Sequence, residues 1–149
     1  MTKVEAKDRS LKNFREKCAE NDLKVTPQRT AIYEELFRSK EHPTADLIYK
    51  KVRKKLPNIS FDTVNRTLIT FSRIGVIRIV EGYGEAKRFD PDIENHHHFR
   101  CIRCSAIIDF HEQAFDEIDI PRSISRRFNV LHKKVVLEGV CEGCRKNGE

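Results

Sequence analysis

The sequence predicts an α+β protein in which a helical N-terminal half precedes a smaller α/β half. Up to about residue 75, apolar residues recur at helical spacing between Pro and Asn breaks. From about residue 95, short β-branched runs take over. The 149 residues, 38% of them hydrophobic, suffice for two small domains. We therefore divide the chain into residues 1–84, a connection over residues 85–94, and residues 95–149.

The charge balance favours a polyanionic partner without naming it. Lys and Arg number 29 against 23 acidic residues, which gives a formal charge of +6 and a pI near 9.1. The sequence contains no run of 18 apolar residues, and its charged beginning "MTKVEAKDRS" lacks the apolar stretch of a signal peptide. We expect a soluble, cytoplasmic protein that does not enter a membrane.

An apolar stripe predicts the first helix, and a capping residue predicts the start of the second. Leu11, Phe14 and Cys18 fall on one face of an amphipathic helix, so Cys18 is predicted to be a core residue rather than a reactive thiol. Thr26 suits the N-cap of the second helix and Pro27 its first position. We expect this helix to run to about residue 38.

Two further helices follow the same logic. Thr44 is the predicted cap of the third helix, which carries apolar residues spaced by four and ends at Pro57. Ser60 caps the fourth, with Asp62 in its positive first turn. The predicted buried stripe of the fourth helix consists of Phe61, Val64, Leu68 and Phe71.

The last part of the helical half completes the outline of a winged helix-turn-helix. "VIRIVEGYGEAKRFD" predicts two short strands around a glycine turn, Gly82 to Gly84. In such a domain the last helix enters the DNA major groove. A merely solvated helix surface is the alternative, but the preceding helix, the hairpin and the basic charge favour groove binding. The candidate DNA contacts are Arg29, Thr63, Asn65, Arg66 and Arg73.

The C-terminal half predicts strands at "HHFRCI", "AIIDF" and "FNVLHKKVVLEGV". Between the last two, "EQAFDEIDIPRSISRRF" predicts a helix that is interrupted or restarted at Pro121. About 55 residues would form a marginal domain without a metal or a partner subunit.

Two C-x-x-C pairs are the strongest motif in the chain. Each pair can place two thiolates on one ion, and two pairs complete the tetrahedral site of structural zinc. The 36 residues between Cys104 and Cys141 exceed common zinc-ribbon spacing, so the fold must bring the pairs together. A redox dithiol or an iron–sulfur cluster is the alternative. The predicted zinc ligands are Cys101, Cys104, Cys141 and Cys144.

The histidine run "NHHHFRC" predicts a second metal site. In an extended strand His96 and His98 point to one side and His97 to the other. If "AIIDF" pairs alongside, Asp109 can add an oxygen, and such nitrogen and oxygen donors suit Fe(II), Mn(II) or Zn(II). A surface cluster with incidental metal affinity is the competing interpretation.

Six motifs, in this order, resemble the ferric uptake regulator (Fur) family, and especially its peroxide-sensing branch, PerR. They are "VTPQRTAI", "HPTAD", "DTVNRTL", "HHHFRCIRC", "IIDF" and "LEGVCEGC", and the resemblance spans roughly residues 10 to 145. It implies a homodimeric transcription factor on an operator in double-stranded DNA, with a winged helix, a hinge, a dimerisation domain and a structural zinc. It also implies a regulatory Fe(II) or Mn(II) site at His42, Asp90, His96, His98 and Asp109, with His42 or His96 the target of peroxide oxidation.

The sequence departs from the family in three places. Asn65 stands where a tyrosine is usual, and Ser105 replaces a common glycine after the first cysteine pair. Some members have a second nitrogen and oxygen site, whose candidates here are His97, Asp116 and His132, with His132 one residue out of step.

We predict a metal-dependent repressor rather than an enzyme. Asp109, where iron-sensing members more often have glutamate, favours peroxide sensing over an iron-responsive repressor. A metallohydrolase lacks an additional general base or nucleophile. A passive zinc-stabilised interaction module would leave His42 and Asp90 unexplained.

Overall fold

A computed structural model describes residues 2–80 and 86–148, which form two compact units, Met1–Ile93 and Glu94–Glu149. In its described residues, the first unit contains four helices and a two-stranded antiparallel sheet. Its elements are α1 (Lys3–Glu20), α2 (Pro27–Arg38), α3 (Ala45–Arg53), α4 (Phe61–Arg73), β1 (Arg78–Val80) and β2 (Arg88–Asp90).

The predicted caps position the helices of the first unit. The side chains of Thr26, Thr44 and Ser60 each accept a hydrogen bond from the backbone N–H three residues later. Pro27 occupies the first turn of α2, where its missing N–H costs nothing. These local bonds confirm the predicted starts of α2, α3 and α4.

The core of the first unit is built around three aromatic rings. Phe14 stacks on Tyr33 at 4.4 Å between ring centroids and meets Phe71 edge-on at 5.2 Å. Cys18 is fully buried beside them, as predicted, and burial raises the pKa of its thiol. Other fully buried side chains of this core are Ile32, Leu36, Ile48, Val52, Val64, Leu68 and Phe89.

Two predictions for this unit are wrong in detail. Phe61 was expected in the buried stripe, yet 45% of its surface is exposed. It is the first residue of α4, beyond the edge of the core, and its ring packs edge-on against Tyr49 at 5.9 Å. The third helix ends at Arg53 rather than at Pro57, so Leu56 reaches the core from a turn.

The predicted wing strands are present and pair in register, Arg78 opposite Asp90 and Val80 opposite Arg88. The segment before α3 contacts β2, because Phe89 N–H donates to the Pro43 carbonyl at 3.0 Å. The predicted glycine turn, Gly82 to Gly84, lies outside the described residues. Since β2 belongs to the first unit, the predicted connection over residues 85–94 overlaps the wing.

The second unit is a three-stranded sheet with short helices. Its central strand β3 (His97–Cys101) pairs antiparallel with β4 (Ile107–Phe110) and parallel with β5 (Val136–Gly139). The helices are α5 (Gln113–Asp116), α6 (Arg122–Ser125) and α7 (Glu142–Lys146).

Three features of this unit differ from expectation. The strand predicted over residues 128–140 shortens to β5. The predicted helix over residues 112–128 becomes two single turns, with Pro121 as the N-cap of the second. α7 was not predicted and begins directly after Cys141.

Within residues 94–148 the buried side chains are metal-ligand types, His96, His97, His98 and Cys101. Several apolar side chains of this unit are exposed, among them Phe128 at 56% and Leu131 at 82%. Across residues 2–80 and 86–148, no helix combines the length and apolar character that crossing a bilayer requires.

Candidate metal centres and nucleic-acid interface

The four paired cysteines converge as predicted. Cys101 ends β3, Cys104 follows in its turn, and Cys141 and Cys144 flank the start of α7. The four Sγ atoms all lie within 4.8 Å of one another, and Cys104 Sγ is 3.7 Å from Cys141 Sγ. Sulfurs bound tetrahedrally to zinc at 2.3 Å are roughly 3.8 Å apart. The thiolate set therefore fits a structural zinc.

Backbone amides prepare these sulfurs for a cation. Hydrogen bonds from the backbone, first that of Cys104 and then that of Cys141, lower the pKa of Cys101 to about 6. The Cys144 thiol instead shares its proton with the neighbouring sulfurs of Cys104 and Cys141, which raises its pKa to about 12. A divalent ion would take the place of that shared proton.

The turn after the first cysteine pair is strained at Ser105. Its φ of 60° lies in the left-handed region that favours glycine. The turn is nonetheless closed, because Ser105 N–H donates to the Cys101 carbonyl at 3.0 Å and Cys101 N–H to the Ala106 carbonyl at 2.9 Å. The substitution noted in the sequence therefore keeps the turn at a local energetic cost.

The second unit assembles part of the predicted nitrogen and oxygen site. His98 lies opposite Asp109 in the β3–β4 ladder, and their side chains approach to 3.2 Å. His96 and His98 share a face, with their Nε2 atoms 3.0 Å apart. Strand alternation and the pairing of "IIDF" are both confirmed.

The hydrogen bonding of His96 suits a metal ligand. Its Nδ1–H donates to the Glu94 carbonyl at 2.8 Å, so in the neutral ring the Nε2 lone pair faces His98 and Asp109. Two neighbouring ligands at 2.1 Å in an octahedral set would be roughly 3.0 Å apart. The separation of the two imidazole nitrogens matches that value.

The first unit holds the other two predicted residues side by side. His42 and Asp90 are both buried, with His42 Nε2 3.2 Å from Asp90 Oδ2. Asp92 N–H donates to Asp90 Oδ1 at 2.9 Å and so orients the carboxylate. His42 itself has a φ of 41°, a conformation that histidine adopts more readily than bulky residues.

The predicted second site is only partly assembled. His97 Nδ1 accepts the Val135 N–H at 3.0 Å, so its Nε2–H donates to Asp116 Oδ1, also at 3.0 Å. Asn95 donates to the same carboxylate oxygen at 2.5 Å. His132 is exposed, and within the described residues it does not join the other two in a group of ligand atoms. The structure thus brings together His97 and Asp116 but not His132.

The predicted DNA-contacting residues lie mainly on the outer side of α4. Arg66 is 79% exposed at its side chain and is held by Asp62, with Nε 3.0 Å from Oδ2. Arg73 is exposed and Asn65 is half-exposed. The Thr63 hydroxyl oxygen instead accepts a hydrogen bond from the Ser60 hydroxyl at 2.9 Å. Arg29 of α2 instead donates to the Lys24 carbonyl at 2.5 Å.

One residue near the site was missed from the sequence. The His111 ring lies 6.0 Å from the His96 ring, between centroids. It follows Asp109 by two residues, so the alternation that selects Asp109 would also have selected it.

The chain matches the model of the ferric uptake regulator family over residues 20–138. It is 34% identical to the peroxide-responsive repressor PerR of Staphylococcus epidermidis over 97% of each chain. It is 39% identical to the peroxide operon regulator of Bacillus subtilis, covering 91% of this chain and 94% of that protein. Its fold matches that of the Helicobacter pylori ferric uptake regulator, with a TM-score of 0.73, 23% identity and 93% coverage of both chains.

Proposed function

The chain belongs to the ferric uptake regulator family, and on that premise we propose that it is a peroxide-sensing, metal-dependent repressor of transcription. It binds an operator in double-stranded DNA as a homodimer and releases it when peroxide oxidises the regulatory site. The similarity to two peroxide-named regulators over more than nine tenths of the chain supports the sensing role. The arrangement of the buried histidines on β3 supports the metal dependence.

A zinc ion on the four cysteines stabilises the second unit. Few apolar side chains are buried in residues 94–148, so a tetrathiolate cross-link between the end of β3 and the start of α7 supplies stability that packing does not. The outward apolar side chains of the same unit favour a second copy as a permanent partner.

A regulatory ion is shared by His42, Asp90, His96, His98 and Asp109. The first unit contributes an imidazole beside a carboxylate, and the second contributes two imidazoles beside another. Six positions separate Asp90 from His96, a span of at most about 20 Å even when extended. Three nitrogens and two carboxylates suit Fe(II) or Mn(II), with room for another ligand. An ion that uses ligands from both units ties them together.

This tie explains how the site controls DNA binding. When all five side chains hold one ion, the two winged helices of the dimer are kept at one separation, which suits half-sites about one helical turn apart. Ion binding and DNA binding then stabilise the same arrangement, so each strengthens the other. Loss of a single ligand from either unit weakens the tie.

Bound Fe(II) would mediate the reduction of peroxide at this site, and the two electrons of the net reaction would come from an imidazole ring. The target is a ring carbon of His42 or His96, which gains one oxygen as the peroxide O–O bond breaks and the other oxygen leaves as water. The oxidised ring is a poorer nitrogen donor, so the ligand set loses a member. With Mn(II) on the same side chains, peroxide leaves the rings intact and the protein stays on DNA.

The observation that carries the proposal is the 3.0 Å approach of the Nε2 atoms of His96 and His98, with Asp109 beside them. The Nδ1–H bond of His96 to a backbone carbonyl leaves its Nε2 lone pair for a cation. Chance surface histidines would be exposed, whereas these are 2% and 5% exposed.

The test begins with metal analysis of protein purified without oxygen, followed by DNA binding with each metal restored. Fe(II)-loaded protein is then treated with stoichiometric peroxide, and its tryptic peptides are weighed. We expect one added oxygen on His42 or His96, together with lost DNA binding, and neither change with Mn(II). Asp109→Asn should lose regulatory metal but keep zinc, whereas exposed His132→Ala should behave as wild type.

Two outcomes would overturn parts of the proposal. If both histidines stay unmodified while DNA binding follows free iron, the protein is an iron-responsive repressor. If DNA binding is independent of every metal restored, the regulatory site does not control it.

A further inference from the structure

The groove between α4 and the wing contains two side chains that the core does not use. Phe61 and Asn65 both line it, and Lys87 lies on its wing side. Phe61 is the exposed ring that helical spacing had predicted to be buried. Asn65 occupies the position where the family usually carries tyrosine. Neither side chain is therefore committed to the buried core.

Asn65 differs from the threonines of α4, whose hydroxyls make local hydrogen bonds. The hydroxyls of Thr67 and Thr70 donate to backbone carbonyls one turn earlier in their own helix, at 2.7 and 2.9 Å. The Asn65 amide makes no hydrogen bond with any residue in the described ranges 2–80 and 86–148. Its N–H₂ and its oxygen thus remain available on the half-exposed face of the helix.

Phe61 lies one helical turn before Asn65, and at that spacing side chains are neighbours on a helix surface. Its ring is pinned edge-on by Tyr49 at 5.9 Å, so the exposed part has a defined direction. The carboxylates nearby are compensated, since Asp62 pairs with Arg66 and Asp46 with Lys50. These ion pairs reduce the repulsion between the two carboxylates and the DNA phosphates.

An amide and an apolar edge side by side match one base pair in the major groove. Adenine presents N7 as an acceptor and N6–H₂ as a donor, which an asparagine amide satisfies together, and thymine presents a methyl group. We propose that Asn65 and Phe61 read an A·T pair in each operator half-site. The Asn65 amide bonds the adenine, and Phe61 packs against the thymine methyl group.

This inference rests on the proposed function, and one experiment separates the two. Mn(II)-loaded full-length protein selects binding sites from a random duplex library, beside Asn65→Ala and the matched exposed control Asn13→Ala. Metal-dependent enrichment of any sequence tests the proposed function. The inference is tested by whether a base preference disappears in Asn65→Ala but persists in Asn13→Ala. The comparison requires that the melting temperature of Asn65→Ala matches that of wild type.

We expect wild type to select an A·T pair at symmetric positions, and Asn65→Ala to lose the preference there by about 5- to 150-fold. Replacing that adenine by 7-deazaadenine should weaken wild type and leave Asn65→Ala unaffected. Replacing the thymine by uracil should cost wild type about fourfold, the value of one buried methyl group, and Phe61→Ala nothing.

Three results would overturn the inference. Asn65→Ala selects the same sites with unchanged affinity, or loses affinity uniformly across sequences, or loses preference for a G·C pair. Absence of any metal-dependent enrichment by wild type would instead remove the proposed function, and this inference with it.

Discussion

Replacing Ser105 by glycine should stabilise the zinc-binding turn. At φ 60° a residue with a Cβ pays about 1–2 kcal/mol relative to the right-handed region. Glycine avoids this strain but loses about 0.5–1 kcal/mol more conformational freedom on folding. The backbone bond from residue 105 to the Cys101 carbonyl is kept, because glycine retains the N–H. The middles of these two ranges differ by about 0.75 kcal/mol, so we expect a net gain of about 0.5–1 kcal/mol.

The gain should appear in zinc retention as well as in unfolding. Zinc binding and folding are coupled, so a gain of about 0.5–1 kcal/mol should lower the equilibrium constant for transfer of zinc to a colorimetric chelator roughly two- to fivefold. Ser105→Ala is the matched control, since it removes the hydroxyl but keeps the strained Cβ. If Ser105→Gly retains zinc no better than wild type and Ser105→Ala, the strain argument is wrong.

Three further predictions concern the zinc site, the core and the DNA-facing helix. Zinc affinity should rise with pH, because the Cys144 proton, with a pKa of about 12, must be displaced, and affinity should fall more steeply below the Cys101 pKa of about 6, where a further proton competes with zinc. Competition titrations showing pH-independent affinity would contradict this. Phe14→Ala should cost about 3–5 kcal/mol in urea unfolding, whereas Phe14→Leu, which fills most of the volume but loses the stacked ring, should cost far less; equal losses would refute the view that filled volume outweighs ring stacking here. Arg66→Ala should lower the salt slope of operator binding by about one unit if it contacts phosphate, or cost about 1–3 kcal/mol if it reads a base; no change in either rules Arg66 out.

The helical half was largely predictable because its signals are local. A cap such as Ser60 bonds an N–H three residues away, and a stripe such as Val64, Leu68 and Phe71 follows from the helical repeat alone. Phe61 was misjudged because spacing gives a face of the helix but not where the core ends. Burial at a helix end depends on which neighbours reach it.

The strand half was less predictable because its contacts are distant in sequence. Residues 128–135 have a strand-like composition, but only Val136–Gly139 pairs with β3. The hydrogen bonds of His97 to Val135 N–H and Asp116 likewise depend on that pairing, and they occupy both ring nitrogens. No local pattern indicates such partners.

By itself, the sequence determined the ligand types, the two cysteine pairs, and the side of the strand on which His96 and His98 lie. These follow from covalent geometry, since alternate residues of a strand face the same way. Only the tertiary structure decided that Asp109 stands opposite His98, that Cys104 meets Cys141 across 36 intervening residues, and that Phe61 is exposed. Register, long-range closure and burial are set by the hydrogen bonds and packing of the whole chain, which local sequence does not specify.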